Sequence, residues 1–411
     1  MDIGAAGVYV CLFFSLYFEV FLLVSFLEKR PEKKTFLKPA RYPSVSMVVP
    51  CYNEGKTLSD TITSLLALEY PKEKLEILVI DDGSTDNTRE IGEAYAAKFP
   101  AQVKYFYKKN GGKYTALNFA ITHSTSELIG CLDADSFVEK DALMEVVKRF
   151  NIEPDVAAIV PVMRVHNPKS LLEIMQMAEY TFGIFVKKIF DNLGAITVLP
   201  GPFSIYRRDV FNTVGLFRHA HNTEDMEIAF RIQKHGLKIV NAHTAIVNTT
   251  VPKTIRTLVK QRTRWTQGFL ENSKDYRHML FNPKFGHFGF FSLPFSLVLL
   301  FGAVYMTIFL VVSTLSSAVQ MVSRIVTTGI MPTFSMPTFD WFYFDTSTLT
   351  FLVIATLGLT STFILMGRQI SGERFGIPTI ASYILLYGFL APLWLFTAVW
   401  GTVRARPSSW R

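Results

Sequence analysis

The sequence is poor in cysteine. Three cysteines, Cys11, Cys51 and Cys131, occur in 411 residues. Their spacing matches neither a disulfide framework nor a zinc site. We therefore expect all three cysteines to act as small apolar residues without a special role. We also expect Cys51 and Cys131 to lie in a reducing compartment.

Charged side chains are almost absent from four long stretches, which lie at residues 3–27, 288–323, 348–366 and 378–403. Because about 20 apolar residues cross a bilayer as a helix, each stretch predicts a membrane span. Residues 1–28 are interpreted as an N-terminal transmembrane helix. Residues 277–411 are interpreted as an interfacial segment and about three C-terminal transmembrane helices, with Pro294 ahead of a helix over residues 293–315. Glu19 lies in the first span, where we expect it to face other helices or to snorkel from a shifted span.

Basic residues are concentrated beside the first apolar stretch. Six follow it, namely Lys29, Arg30, Lys33, Lys34, Lys38 and Arg41. This juxtamembrane pattern explains the net charge of +8 better than nucleic-acid binding does, and it places the N-terminus outside and the next domain in the cytoplasm. Three further spans would put the C-terminus outside, whereas Arg404, Arg406 and Arg411 favour the inside. Either one C-terminal segment is interfacial or re-entrant, or the tail departs from the rule.

Residues 42–276 alternate strand-like and helix-like patterns. The segments SVSMVVP and LEILVID are apolar and rich in β-branched residues, which predicts buried strands. Helical spacing follows the first, and the strand patterns VKYFY and ELIGCLDAD come later. The alternation predicts an α/β fold with a mostly parallel sheet flanked by helices, in addition to the transmembrane α-helices.

Polar clusters follow three of these strands, in the segments CYNEG, DDGSTD and DADS. Each alone fits an ordinary turn, but in such a sheet ligands bind at the carboxyl ends of the strands. Asp133 and Asp135 lie one residue apart, and their oxygens suit Mg²⁺ or Mn²⁺ bridging a diphosphate. The three clusters together predict a nucleotide-sugar site.

A glycine-containing segment, KKNGGKYTALN, places Lys113 at the start of a predicted helix. Backbone N–H groups and an ammonium at that position suit a phosphate. Lys108 and Lys109 are interpreted as part of a solvated basic turn.

Taken in order, the segments VVPCYNE, VIDDGSTDNT, NGGKYTALN, CLDADS, NTED and QRTRW resemble the family 2 glycosyltransferases, which are inverting enzymes of the GT-A fold. More narrowly, they resemble the membrane-embedded synthases of hyaluronan, chitin, cellulose and poly-N-acetylglucosamine. The resemblance covers the whole soluble domain. The membrane segments share only their general character with those of the synthases, not their sequence. The resemblance implies a GT-A fold for residues 42–276 and sugar transfer from a nucleotide sugar, most naturally a UDP-sugar.

The resemblance implies a role for each matching residue. Asp225, in the segment TED, becomes the general base that takes the proton of the acceptor hydroxyl, although Thr223 and the acids also fit a plain helix cap. The implied nucleotide-sugar-binding residues are Asp81, Asp82, Lys113, Asp133, Gln261 and Arg264. The implied metal ligands are Asp133 and Asp135, and the implied acceptor-binding residues are Glu224, Trp265 and Phe203. Phe203 lies in LPGPF, which fits a plain turn before a strand equally well.

The segment QRTRW lies in a stretch with helical spacing. Gln261, Arg264 and Trp265 then share one helix face, while Arg262 points elsewhere and snorkels. Taken alone, the segment fits a basic, aromatic belt at a membrane interface as well as it fits part of an active site. When QRTRW is taken together with the other motifs, the resemblance implies that Trp265 forms the base of the acceptor site. It also implies that Gln261 and Arg264 contact the donor diphosphate.

The predicted protein is a multi-pass, metal-dependent glycosyltransferase of the cell membrane with a cytoplasmic active site. It extends a β-linked polysaccharide, with export coupled through its spans. The alternative is transfer of a single sugar to a lipid acceptor, since four spans are few for a polymer channel. A catalytically inactive scaffold for a partner synthase is a third hypothesis, which the intact acidic motifs disfavour. The expected partners are a nucleotide sugar, a glycan or lipid acceptor and the bilayer, with a second copy or an accessory subunit compatible with the sequence.

Overall fold

The computed structural model describes residues 3–28, 39–329 and 345–404. Several residues used for the orientation prediction lie outside the described residues. These are Lys29, Arg30, Lys33, Lys34, Lys38, Arg406 and Arg411.

The described chain contains eight strands and twelve α-helices. The strands are β1 Val45–Cys51, β2 Leu75–Asp81, β3 Val103–Tyr107, β4 Leu128–Cys131, β5 Ser136–Val138, β6 Val156–Val165, β7 Ile205–Arg207 and β8 Lys238–Thr249. The helices are α1 Ile3–Leu27, α2 Leu58–Leu66, α3 Thr88–Lys98, α4 Lys113–His123, α5 Ala142–Ile152, α6 Leu171–Asn192, α7 Val210–Val214, α8 Glu224–Lys234, α9 Ile255–Asp275, α10 Leu293–Thr328, α11 Thr348–Ser371 and α12 Ile377–Val403.

All eight strands belong to one sheet in the order β3-β2-β1-β4-β7-β6-β8-β5. The pairs β1/β2, β1/β4, β2/β3 and β6/β8 are parallel, and the pairs β4/β7, β6/β7 and β5/β8 are antiparallel. The predicted α/β fold is confirmed, as a mixed sheet. Neighbouring strands are parallel where a helix between them brings the chain back to the end of the sheet at which the first strand began. The short strands β5 and β7 form the antiparallel pairs.

The core lies between the sheet and its helices. Helix α2 turns Leu58, Ile62 and Leu65 toward the sheet, and helix α5 does the same with Val146 and Phe150, all of them buried. Their three- and four-residue spacing is the amphipathic pattern of helices that cover one face of a sheet. This packing fixes the strand ends that carry the polar clusters.

Within the described ranges, four helices are long and apolar enough to cross a membrane, over Gly4–Leu27, Phe288–Thr328, Thr348–Ser371 and Ile377–Val403. Helix α10 extends to Thr328, thirteen residues beyond the predicted end at residue 315. Residues 316–328 contain neither glycine nor proline, so nothing interrupts the helix until Gly329, whose φ of +66° ends it.

The described chain divides into two compact units. One contains the described parts of Met1–Leu27 and Phe295–Thr362. In it, Glu19 is buried and accepts a hydrogen bond of 2.5 Å from the hydroxyl of Thr360. The prediction that this carboxylate faces another helix is therefore confirmed, and the alternative that it snorkels is wrong.

The other unit contains the described parts of Glu28–Pro294 and Phe363–Arg411. In it, α12 packs on α6 and α9 around the buried side chains of Met175, Leu258 and Trp394. Gly367 of α11 also approaches α6 closely, because a Cβ at that glycine would lie 2.0 Å from the carbonyl oxygen of Thr181. The sheet domain therefore shares a packed core with apolar helices.

Candidate active site

The carboxyl ends of β1, β2 and β4 lie side by side in the sheet. Cys51 pairs with Asp81 across β1 and β2, and Val48 pairs with Cys131 across β1 and β4. The polar residues that follow these strands therefore gather at one edge, as expected for the ligand-binding edge of such a sheet.

Asp81 and Asp82 are both buried and hold loops at this edge. Asp81 accepts hydrogen bonds from the backbone N–H of Ser84 at 2.8 Å and from the hydroxyl of Tyr105 at 2.7 Å. Asp82 accepts bonds from the N–H groups of Gly111 and Gly112, at 3.0 and 2.8 Å. Direct contact of either carboxylate with a nucleotide stays a prediction.

Lys108 is part of the same arrangement. Its ammonium forms an ion pair with Asp82 and donates 2.8 Å hydrogen bonds to Lys109 O and Thr115 Oγ1. The interpretation of Lys108 as a solvated turn residue is therefore wrong, because the carboxylate that organises the glycine loop lies beneath it.

A charged cluster links the helix starts of α4 and α8 to the end of β4. Lys113 Nζ lies 2.6 Å from Asp133 Oδ1 and 3.5 Å from Glu224 Oε1. Burial lowers the pKa of this ammonium, but the carboxylates of Asp133, Glu224 and Asp225 raise it well above its usual value. Lys113 is thus a permanent positive charge among three of the predicted site residues.

Asp225 is the second residue of α8 and is half-buried. Burial and the neighbouring Glu224 carboxylate raise its pKa to about 6, against the opposing effects of Lys113 and Arg264. A carboxylate with a pKa close to neutral is suited to accept a proton in a reaction near pH 7. Its position at the first turn of a helix holds it rigidly.

Thr223 occupies the residue before α8, but its side chain makes no capping hydrogen bond. Its hydroxyl instead donates to Ala220 O at 3.0 Å and accepts from Asn272 Nδ2 of α9 at 2.9 Å. The predicted helix start is present, and the predicted cap by Thr223 is wrong. The hydroxyl ties α8 to α9.

Asp133 and Asp135 offer two carboxylates to a divalent cation at this edge of the sheet. Burial and the carboxylates of Asp133 and Glu54 raise the pKa of Asp135 to about 6, so anionic oxygens repel one another here. In the described ranges, no group of three or more His, Cys, Asp or Glu side chains is arranged as a complete metal site. Two carboxylates nonetheless fit Mg²⁺ or Mn²⁺ when phosphate oxygens supply the other ligands.

Gly201 leaves the space that this cluster fills. A Cβ at Gly201 would lie 2.4 Å from Lys113 Nζ and 2.5 Å from both carboxylate oxygens of Asp133. The segment LPGPF therefore contributes through its glycine, which lets the backbone approach the charged pair. The sequence pattern of this segment indicates a turn at the glycine but not its approach to the charged pair.

Phe203 lies elsewhere than predicted. Its side chain is fully buried and belongs to the hydrophobic core of the sheet domain. The prediction that its ring lines a sugar site is therefore wrong. The alternative interpretation of LPGPF, a turn before a strand, agrees with the structure, in which β7 follows this segment.

The segment QRTRW lies inside α9, so Gln261, Arg264 and Trp265 share one helix face as predicted. Arg264 donates a 2.8 Å hydrogen bond to the carbonyl oxygen of Asn222, just before Asp225. Arg262 does not snorkel. It is buried, pairs with Glu179 of α6 and lies over the ring of Trp265.

The backbone ahead of α8 is strained. Ala220, His221 and Asn222 have φ values of +43°, +55° and +61°, a region that side-chain-bearing residues seldom adopt. Contacts with α9 hold this segment, since His221 Nε2 lies 3.0 Å from Asp275 Oδ2 and Arg264 donates to the carbonyl oxygen of Asn222. No pattern in the sequence predicts three consecutive residues in this conformation.

Comparison with known proteins agrees with this architecture. Residues 46–215 match the family described as Glycosyl transferase family 2. Over 267 residues the chain is 32% identical to a poly-beta-1,6-N-acetyl-D-glucosamine synthase of Staphylococcus epidermidis, covering 62% of this chain and 64% of that protein. A protein of the same description from Staphylococcus aureus is 32% identical over 238 residues, covering 57% of each chain. The chain thus spans about three fifths of the length of these relatives.

The fold is also similar to that of a mannosyltransferase from Pyrobaculum calidifontis, solved in complex with GDP-Man and Mn²⁺. The TM-score is 0.66 at 19% identity, and the likeness covers 98% of this chain and 99% of that one. The acidic strand ends lie within the residues that match the family. Residues 46–215 are therefore similar to glycosyl transferase family 2, and the whole chain is similar in fold to that mannosyltransferase.

Proposed function

We propose that the protein is a membrane-embedded inverting glycosyltransferase that extends a β-linked polysaccharide from a UDP-sugar. The observation that carries the proposal is the charged cluster of Asp225, Glu224, Lys113 and Asp133 at the binding edge of the sheet, beside the residues that match family 2. It brings a carboxylate with a pKa near 6 together with fixed positive charge.

Asp225 acts as the general base. Its carboxylate takes the proton from the acceptor hydroxyl while that oxygen bonds to the anomeric carbon, and the nucleoside diphosphate leaves with the electron pair of the broken bond. Lys113 and Arg264 both lie close enough to Asp225 to lower its pKa. They stabilise the negative charge that develops on the leaving diphosphate.

Asp133 and Asp135 hold a divalent cation, Mg²⁺ or Mn²⁺. When bound, the cation supplies positive charge to the donor diphosphate. The mutual repulsion of Asp133, Asp135 and Glu54 supports this assignment, because a cation relieves it. The Mn²⁺ in the complex of the mannosyltransferase of similar fold supports it too.

The donor is a UDP-sugar, and UDP-N-acetylglucosamine is the first candidate. The relatives that are 32% identical are named poly-beta-1,6-N-acetyl-D-glucosamine synthases. Trp265 and Glu224 lie beside the acceptor, and Gln261 contacts the donor diphosphate. Asp81 and Asp82 act mainly through the loops that they hold.

The catalytic domain faces the cytoplasm and the four apolar helices cross the cell membrane. The net charge of +8 and the basic flank after the first span support this orientation. A second copy or an accessory subunit completes the path of the polymer, since four spans are few for a channel.

The test uses full-length protein in lipid nanodiscs with Mn²⁺ and each radiolabelled UDP-sugar in turn, with GDP-mannose as a further donor. Products are sized by gel filtration and extracted into organic solvent. A product of high mass that a β-N-acetylglucosaminidase degrades supports the proposal.

A single labelled glycolipid would support transfer to a lipid acceptor instead. Absence of turnover with every donor, in a sample that still binds UDP, would overturn the assignment as a transferase and favour the inactive scaffold.

A further inference from the structure

The guanidinium of Arg262 is buried and held by a carboxylate from another helix. Its Nε and one terminal nitrogen donate hydrogen bonds of 3.1 and 2.7 Å to the two oxygens of Glu179 on α6. Only 4% of the arginine residue is exposed. This two-bond geometry fixes the plane of the guanidinium as well as its position.

The same guanidinium reaches two other residues of its motif. Its remaining terminal nitrogen donates a 2.6 Å hydrogen bond to Gln261 Oε1. Its central carbon lies 4.3 Å from the centre of the Trp265 ring. One planar group therefore orients an amide and an indole at once, which the point charge of a lysine cannot reproduce.

The surroundings make this arrangement stiff. Helices α6, α9 and α12 meet around Met175, Leu258 and Trp394, and Glu179 and Arg262 lie on two of these helices. A charge pair enclosed by packed helices has little freedom to rotate, so the ring of Trp265 is presented in one orientation.

We propose that Arg262 is a positioning residue for acceptor binding. Glu179 clamps its guanidinium against one face of Trp265, which leaves the opposite face of the indole for the acceptor sugar. The inference rests on the proposed function for the identity of the ligand, but the clamp itself is a property of the apo protein.

The first test compares Arg262→Lys with wild type in nanodiscs, with Arg256→Lys as the control, since Arg256 is an exposed arginine of the same helix. Transfer to a defined β-linked N-acetylglucosamine oligosaccharide is measured. We expect the acceptor KM of Arg262→Lys to rise about tenfold, a loss of about 1.4 kcal/mol, which lies between the values for an exposed and a desolvated cation–π contact. The donor KM changes less, and Arg256→Lys matches wild type. An unchanged acceptor KM in Arg262→Lys would overturn the inference.

A double variant separates positioning from plain stabilisation. Glu179→Arg combined with Arg262→Glu restores opposite charges between α6 and α9 but puts no cation over Trp265. We expect its melting temperature to exceed that of Arg262→Glu alone, while acceptor use stays impaired. Recovery of the wild-type acceptor KM in the double variant would show that the pair only holds the helices together.

A third measurement needs no turnover. Protein labelled with 5-fluorotryptophan gives a ¹⁹F resonance for Trp265, identified by its loss in Trp265→Phe. We expect that resonance to shift in Arg262→Lys and to stay in place in Arg256→Lys. No shift in Arg262→Lys would refute the clamp whatever the protein transfers. A shift in a protein without any transferase activity would support the clamp and refute only the proposed function.

Discussion

At the scale of single residues, the charges around Asp225 set the pH range in which the base works. Burial and Glu224 raise its pKa from 3.8 to about 6. Below that pH the carboxyl group is protonated and cannot accept a proton, so we expect kcat/KM for the acceptor to fall about tenfold per pH unit below 6. An exposed aspartate would give that fall near pH 4. Initial rates between pH 4.5 and 8, with UDP binding measured in parallel, check this, and full activity at pH 4.5 would contradict it.

Replacement of the base gives a second expectation at this scale. Asp225→Asn keeps the shape of the side chain but cannot take a proton, so we expect kcat to fall by about 10²–10⁴-fold with UDP affinity nearly unchanged. Asp60→Asn, at an exposed position on α2, is the matched control. Wild-type turnover in Asp225→Asn would assign the base elsewhere.

Motifs in the sequence indicate several residues that the structure brings together. Lys113 and Asp133 follow from a helix start and a strand end, whereas Glu224 and Asp225 follow from the resemblance. Their roles stay predictions. The wrong interpretation of Arg262 has a plain cause. Its partner Glu179 lies 83 residues away on another helix, and helical spacing within α9 carries no information about that contact.

At the scale of elements, the strained segment before α8 is a measurable feature. Ala220 has a φ of +43°, where a Cβ costs about 1 kcal/mol and glycine does not. We therefore expect Ala220→Gly to raise the free energy of unfolding by up to about 1 kcal/mol, seen as a higher melting temperature of the sheet domain.

The matched control is Ala94→Gly, at an exposed position inside α3. At that position we expect glycine to lower the free energy of unfolding by about 1 kcal/mol, because glycine loses more conformational entropy than alanine when it is fixed in a helix. The two substitutions should move the melting temperature in opposite directions. A lower melting temperature for Ala220→Gly would show that the segment is not strained.

The boundaries of an element could be predicted where a clear run of apolar residues marks it, and could not be predicted where such a run is missing. Strand β2 occupies Leu75–Asp81, the predicted segment, since its run of buried residues is bounded by polar ones. Strand β7 has only three residues and pairs in the antiparallel direction, which a short segment between turns does not reveal. The extension of α10 was missed because span prediction stops where hydrophobicity falls, whereas a helix continues until a residue ends it.

At the scale of the whole molecule, we expect transfer to depend on a bound divalent cation. Chelation with EDTA should abolish transfer, and Mn²⁺ or Mg²⁺ should restore it, since Asp133 and Asp135 otherwise leave their repulsion unrelieved. Full turnover after exhaustive chelation would exclude the assignment of these two residues as metal ligands.

The ion pair between Lys113 and Asp133 has a consequence for the order in which ligands arrive. A cation must compete with an ammonium that lies 2.6 Å from Asp133 Oδ1, unless a diphosphate gives that ammonium another anion. Linkage then requires UDP to tighten Mn²⁺ binding by the same factor by which Mn²⁺ tightens UDP binding, and we expect about tenfold by calorimetry. In Lys113→Met the cation should bind more tightly alone and the cooperativity should shrink. We therefore expect Lys113 to limit metal binding while the donor is absent.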